Sequence, residues 1–195
     1  MNSNQNFDIE KAWTQYKKLA DKLTPSHEGI ARLLNDLDQR IIETPGSMTT
    51  EGFACHPGGM ILLSLRVTEK MIALSNALNL SEKIHPSSIL MVGLFHNLGL
   101  IGNLTEKYWV ENPSSWHREK GILYTYNENL SKSQISDRSL FILQSYGIQL
   151  TYDEWISISI SGGSHHESNR FYIGHEPPLA LLTQQARTWV LGRNV

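Results

Sequence analysis

The sequence contains a single cysteine, Cys55, among 195 residues. An internal disulfide and a cysteine-based zinc site are therefore excluded, since each needs more than one thiol. This scarcity of cysteine favours a reducing, cytoplasmic setting. The polar residues 1–8 lack the apolar run of a secretory signal peptide, and we expect no such signal there.

Charged residues and long apolar runs are also scarce. Charged side chains make up 18% of the chain, and 17 basic and 19 acidic residues give a formal charge of -2. The charge gives no general reason to bind duplex nucleic acid or an anionic membrane. No apolar run reaches the roughly 20 residues that span a bilayer. With 40% apolar residues, the chain is expected to fold around one hydrophobic core without entering a membrane.

Apolar residues recur at helical spacing along most of the chain. We predict helices at about 8–23, 26–42, 59–80, 86–99, 133–146, 151–161 and 178–191, with Asp8, Ser26 and Thr151 as caps. Residues 103–132 lose this period, and 108–110 and 122–126 are expected to pair as a short hairpin around Asn112-Pro113. The predicted fold is mainly α with one short β-hairpin. We expect residues 1–44 to form a helical pair packed on a helical unit of residues 45–195.

A polar pair, His96-Asn97, interrupts the most apolar part of the sequence. It follows Leu94-Phe95 and precedes Leu98, at the end of the fourth predicted helix. Such a pair is unlike a solvated surface. It is either a hydrogen-bonded feature of the core or the floor of a functional site.

The order of elements around this pair resembles the HD-domain superfamily of metal-dependent phosphohydrolases. It is most similar to the compact HD proteins of phages and mobile elements. Gly58-Gly59 opens a buried helix, a second helix ends in His96-Asn97 and Leu98-Gly99, and a hairpin and three helices follow. The resemblance covers roughly residues 45–190. It implies an HD-like helical bundle around one or two divalent cations that activate water and polarise a phosphoryl oxygen.

Most positions at which the resemblance implies a metal ligand carry another kind of residue. His96 matches the histidine of the signature pair, but Asn97 replaces its aspartate, and a neutral amide is a poorer ligand. At the other matched positions, Leu63, Ile135 and Ile160 replace histidines, Arg187 or a residue near Gln184 replaces a carboxylate, and Leu100 replaces a lysine. The resemblance therefore implies a site that has lost its metal and its metal-dependent chemistry. We predict no catalytic residue, no metal and no cofactor.

Two arginines are candidates for binding an anion. Arg187 lies in an otherwise apolar helix, and Arg66 follows the buried run of the third helix by one turn. A guanidinium in such surroundings needs either a structural carboxylate, such as Glu69 or Asp137, or an anionic ligand. Phosphate is the ligand that arginine holds with two parallel hydrogen bonds.

Aromatic residues gather in the two irregular segments of the chain. Trp109 and Tyr172 are candidates to stack on a nucleotide base, among neighbouring rings that could equally cover the core or form a partner surface. The complete set of predicted ligand-binding residues is His96, Asn97, Arg187, Arg66, Trp109 and Tyr172.

These observations support three hypotheses. In the first, a catalytically inactive HD-like domain binds and sequesters a nucleotide or nucleotide-derived signal, as a viral anti-defence or accessory protein in the host cytoplasm would. In the second, His96 and the loop histidines His56, His165, His166 and His175 form an atypical metal site of an active phosphohydrolase. In the third, the protein is an accessory module for a host protein, and Leu63, Ile135 and Ile160 fill its pocket. Apolar faces also allow a homo-oligomer. The polar residues His96, Asn97 and Arg187 favour the first hypothesis.

Overall fold

The computed structural model describes residues 7–163 and 166–192. Within them, the α-helices are α1 Ile9–Ala20, α2 Gly29–Asp36, α3 Asp38–Glu43, α4 Gly59–Ala77, α5 Pro86–Phe95, α6 Ser115–Glu119, α7 Ile135–Ser145, α8 Tyr152–Ser159 and α9 Pro178–Val190. The strands are β1 Trp109–Glu111 and β2 Tyr124–Tyr126, and short 3-10 turns cover Leu98–Ile101 and Glu167–Tyr172. The prediction of a mainly α fold with one short hairpin is confirmed.

Helix α4 lies at the centre of the fold. Its apolar residues face neighbours on nearly all sides, and Met60, Ile61, Val67 and Met71 are fully buried. The helix packs mainly against α5 and α9, and also against α1 and α3. One cluster of buried apolar side chains joins α1–α3 to the later helices. In the part of the chain that the structure describes, none of the helices combines the length and apolarity that crossing a membrane requires.

Helix α1 supports the end of α5, where the polar pair follows. The Asp8 carboxylate caps α1 as predicted, accepting a hydrogen bond from the Lys11 backbone N–H at 2.9 Å. Farther along α1, the buried Tyr16 hydroxyl donates to the Leu94 carbonyl oxygen at 3.0 Å. The last carbonyl groups of a helix have no partner within it, so this bond satisfies one of them. The N-terminal helix thereby stabilises the end of α5 immediately before His96.

The helix predicted for residues 26–42 is divided into α2 and α3. Helix α2 begins after Glu28 and has no side-chain cap, so the prediction that Ser26 caps it was wrong. The interruption lies at Leu37, whose φ of -115° is not helical. Asn35 and Asp36 precede it, and both residue types have a low intrinsic helix propensity. Low local helix propensity therefore ends a helix that the apolar period alone would have continued.

The predicted hairpin is present, with a longer connection than expected. Strands β1 and β2 are antiparallel, and Trp109 pairs with Tyr126. The connection is not a tight turn at Asn112-Pro113, because it contains helix α6, which Ser114 caps. These residues place an aromatic ribbon beside the start of α7.

Helix α8 begins at the cap that the sequence predicted. The Thr151 hydroxyl accepts from the Glu154 N–H at 3.3 Å, and the Glu154 carboxylate accepts from the Thr151 N–H at 2.8 Å. This reciprocal pair is a capping box. The far end of α8, followed by Gly162-Gly163, lies against α9 and the polar pair described next.

Candidate functional site

A cavity of about 260 Å³ lies beside His96-Asn97. It is bounded by the end of α5, the start of α7, the end of α8 and the third turn of α9. Its polar lining includes His96, Asn97, Ser133, Gln134, Ser136 and Arg187. The exposed His166 also lines it, so the cavity reaches the protein surface. None of the described residues that line it is an aspartate or a glutamate.

His96 lines this cavity and has one ring nitrogen without a hydrogen-bond partner among the described residues. It follows the last residue of α5 and is 1% exposed. Its Nδ1 lies 3.0 Å from the Gly93 carbonyl oxygen. Because a carbonyl only accepts, Nδ1 must carry the proton of this bond. Nε2, on the other side of the ring, has no hydrogen-bond partner among the described residues.

The surroundings of His96 keep the imidazole neutral. Burial lowers the pKa of His96 from 6.5 to about 3, and the positive charge of Arg187 adds to this effect. The hydrogen bonds to backbone carbonyls act in the opposite direction and are weaker. At neutral pH, Nε2 is therefore an acceptor without a proton.

This burial predicts an acid-dependent loss of stability. Between the native pKa of about 3 and the unfolded value of 6.5, the unfolded chain binds one more proton at His96, so stability falls as pH falls. The expected loss between pH 7.5 and pH 5.5 is about 1.4 kcal/mol. Urea unfolding of His96→Gln at both pH values should lack this contribution.

A matched control is His175→Gln, which removes an exposed imidazole. It should retain the full pH dependence of the wild-type protein. If His96→Gln retained it too, His96 would not be the buried neutral group described above.

Asn97 is held on one side and open on the other. It is 1% exposed, and its amide oxygen lies 2.8 Å from the hydroxyl of Ser64 on α4. The same hydroxyl lies 3.0 Å from the Leu94 carbonyl oxygen, and its single proton serves one acceptor at a time. Nδ2 of Asn97 has no hydrogen-bond partner in the described structure. The central helix thus fixes the amide while leaving a donor beside the cavity.

A close backbone contact places this pair against α7. A Cβ atom at Gly99 would lie 2.1 Å from the Ile135 carbonyl oxygen, so only glycine fits there. The Gly99 N–H donates to the Ser139 hydroxyl oxygen at 2.8 Å, and that hydroxyl lies 3.1 Å from the His96 carbonyl oxygen. The turn after His96 is therefore packed on the first turn of α7, which brings Ser136 to the cavity.

Arg187 joins the cavity to the end of α8. Its guanidinium lies 3.4 Å from the Ser161 carbonyl oxygen, and Gln184 donates to the Ile160 carbonyl oxygen at 3.0 Å. Carbonyl groups at a helix end carry partial negative charge, which the Arg187 cation offsets, while the Gln184 amide supplies a hydrogen-bond donor. Arg187 also lines the cavity and lowers the pKa of His96, so its charge acts on the cavity floor.

The structure brings together three of the six predicted ligand-binding residues: His96, Asn97 and Arg187. Arg66 lies elsewhere, on the solvent face of α4, where its 59% exposed side chain pairs with Glu69 at 3.2 Å. Its partner is thus Glu69, a structural carboxylate. The sequence had left this partner and an anionic ligand as the two alternatives.

The two predicted aromatic residues lie outside this cavity. Trp109 lines a neighbouring cavity of about 370 Å³ together with Tyr124. Tyr172 packs against a small apolar cluster that includes Ile160. Tyr108 borders both cavities and thus lies between His96 and Trp109.

The positions that the resemblance assigns to lost ligands differ in where they lie. Leu63 and Ile160 are buried in the core and are not part of the cavity lining, whereas Ile135 is. Of the loop histidines, His166 lines the cavity and His165 lies outside the described residues. Among the described residues, no group of three or more His, Cys, Asp or Glu side chains is placed to hold a metal ion.

A buried cation that was not predicted from the sequence supports the Tyr108 ring. The buried Arg138 guanidinium lies 4.9 Å from the centre of the Tyr108 ring. Arg138 also donates to the Ser131 carbonyl oxygen at 3.0 Å. This cation holds one wall of the cavity in place. A signal was available, since Arg138 is a lone cation in the predicted helix 133–146.

No protein-family model, curated protein or solved structure matches this chain. The resemblance to HD-domain proteins accordingly stays a prediction from the sequence. The function must be argued from the chemistry of a cavity that combines a neutral imidazole, an amide and a guanidinium.

Proposed function

We propose that this protein binds a small phosphorylated ligand beside His96 and holds it without cleaving it. The proposal depends on one observation: Arg187 shares a cavity with His96 and Asn97, and each of these two residues has a buried polar atom, Nε2 or Nδ2, that lacks a hydrogen-bond partner in the described structure. An unpartnered buried polar group costs about 1–3 kcal/mol. A bound ligand would offset that cost, whereas a purely structural core would have no need of these groups.

The lining suits a phosphate ester. A guanidinium binds phosphate oxygens through charge-assisted hydrogen bonds, and the Arg187 guanidinium belongs to a residue of the cavity lining. Asn97 Nδ2 and the hydroxyls of Ser133 and Ser136 supply neutral donors around it. The volume of about 260 Å³ lies below that of common drug-sized pockets. These features favour a ligand of mononucleotide size or smaller.

Retention without hydrolysis follows from the resemblance. In that resemblance Asn97 matches the position of one metal-binding carboxylate, and Arg187 or a residue near Gln184 matches another. A guanidinium in the cavity repels a divalent cation. The same guanidinium attracts phosphate. Sequestration of a nucleotide or nucleotide-derived signal, in the manner of a viral anti-defence or accessory protein, is the role that we propose.

The two alternative hypotheses have less support. The protein-binding module would fill its pocket with Leu63, Ile135 and Ile160, but of these three only Ile135 is part of the cavity lining. The exposed Phe171 and Trp189 side chains nevertheless make a host protein a second candidate partner. The hypothesis of an active phosphohydrolase needs a set of metal-binding side chains, and no group of three or more is found among the described residues.

Titration calorimetry tests the proposal. Wild-type protein should bind at least one of inorganic phosphate, ribose 5-phosphate, AMP, ADP or cyclic AMP. Arg187→Gln should weaken that binding about 30-fold, since it removes about 2 kcal/mol of charge-assisted hydrogen bonding. Arg66→Gln removes an exposed guanidinium far along α4 and should stay within about twofold of wild type.

Two results would overturn the proposal. One is a lack of binding to every compound in this series by folded wild-type protein. The other is stoichiometric manganese, iron, nickel or zinc in the purified protein that disappears in His96→Ala, which would favour the active phosphohydrolase.

A further inference from the structure

His96 Nε2 differs chemically from the other groups at the cavity floor. Arg187 and Asn97 Nδ2 donate hydrogen bonds, and serine hydroxyls can donate or accept. Nε2 can only accept, because Nδ1 holds the proton that is shared with the Gly93 carbonyl. An ionised phosphate offers acceptor oxygens alone. Phosphate would therefore satisfy Arg187 and Asn97 and leave Nε2 unpartnered.

We propose that the cavity selects phosphate esters that carry a hydroxyl group near the phosphate, such as sugar phosphates and the sugar-phosphate end of a mononucleotide. The ligand hydroxyl donates to His96 Nε2 while the phosphate lies against Arg187 and Asn97. This inference rests on the proposed function and adds to it the class of ligand.

The burial of His96 gives this selection its strength. A ligand without a hydroxyl would leave this buried acceptor unpaired. Sites that pair with a substrate hydroxyl can reject an analogue lacking it by large factors. Burial and the positive charge of Arg187 lower the pKa of His96, so the ring is neutral and Nε2 is an acceptor at pH 8.

One competing source of a donor must be removed from the test. A phosphate monoester that keeps one proton could offer its own P–OH to Nε2. The second phosphate pKa is about 6, so at pH 8 the phosphate is a dianion and has no proton to donate. A preference between two ligands that is measured at pH 8 therefore reflects their hydroxyl groups and not a proton on the phosphate.

The experiment compares ribose 5-phosphate with pentyl phosphate by calorimetry at pH 8. Both place an ester phosphate on a five-carbon chain, and only the first carries hydroxyls. Wild-type protein should bind ribose 5-phosphate at least tenfold more tightly. His96→Phe, which keeps a ring but removes the acceptor, should reduce this preference to about twofold or less. Arg187→Gln should weaken both esters and preserve the preference.

The outcomes separate the two proposals. Equal binding of the two esters by wild-type protein would leave phosphate binding intact and overturn the selection for a hydroxyl. Failure of both esters to bind would overturn the selection for a hydroxyl, and failure of inorganic phosphate, AMP, ADP and cyclic AMP as well would overturn both proposals. If folded His96→Phe still preferred ribose 5-phosphate, a residue other than His96 would bind the ligand hydroxyl. That result would likewise overturn the inference.

A second measurement does not depend on a variant that folds. In wild-type protein with 15N-labelled histidine, the His96 Nε2 resonance should shift toward the protonated position when ribose 5-phosphate binds. Pentyl phosphate should leave it in place. An Nε2 resonance that is the same with both esters would show that no ligand hydroxyl reaches His96.

Discussion

Gly99→Ala should destabilise the protein by about 3 kcal/mol and abolish ligand binding by the molecules that remain folded. The new Cβ would lie 2.1 Å from the Ile135 carbonyl oxygen and 2.8 Å from Arg138 Cβ. Both neighbours belong to the first turn of α7, and a carbonyl in a packed helix cannot move without the helix. The turn after His96 would separate from α7, and the cavity walls would separate with it.

Gly147→Ala is the matched control at the other end of α7. Its Cβ would meet nothing within 4 Å, but its φ of +71° is unfavourable for alanine. That strain costs about 1–2 kcal/mol without any clash. Urea unfolding should rank Gly99→Ala as the more destabilised variant, and calorimetry with ribose 5-phosphate should show lost binding in it alone. The reverse ranking would mean that α7 moves aside readily and that Gly99 does not fix the site.

Polar residues inside an otherwise apolar helical pattern were the most informative signal in the sequence. His96, Asn97 and Arg187 interrupt helical runs, and a buried polar group needs a partner wherever the helix lies. Local sequence was therefore sufficient to select them. Arg66 shows how the same argument fails. With Glu69 and Lys70 it forms a polar stripe at helical spacing, which the structure exposes to solvent.

Features that depend on contacts between distant segments were not available from local patterns. The sequence suggested Trp109 as a ligand contact, but its neighbour Tyr108 borders the cavity, because the hairpin docks beside α7. Ser133 and Ser136 stand in sequence that is typical of any polar loop and helix start. Nothing in it indicates that their side chains line a cavity. Two features depend on weak local preferences: the end of a helix at Leu37 and the five-residue helix α6. The spacing of apolar residues does not predict either of them.

Asn97→Asp should be the most damaging isosteric change in the site. It places a carboxylate at a position that is 1% exposed, where the Ser64 hydroxyl is the partner of the amide oxygen. A buried charge that lacks sufficient partners destabilises a protein by about 3–5 kcal/mol. The carboxylate would also stand where we place the phosphate. We expect a loss of about 3 kcal/mol at pH 7.5 and at least a hundredfold weaker binding of ribose 5-phosphate.

The pH dependence distinguishes a buried carboxylate from general damage. Burial raises the pKa of the new carboxyl above its unfolded value near 3.9, and we expect this effect to exceed the opposing one of the Arg187 charge in the same cavity, so the native state binds the additional proton in that interval. Stability relative to wild type should therefore improve as pH falls from 7.5 to 5, opposite in sign to the effect of His96. Asn76→Asp, which adds the same charge at an exposed position in the last turn of α4, should destabilise the protein by no more than about 1 kcal/mol, the effect of a negative charge at a helix C-terminus, and should leave binding unaltered. An Asn97→Asp protein as stable as wild type, with unchanged affinity for ribose 5-phosphate, would place the phosphate away from Asn97 and contradict the site described above.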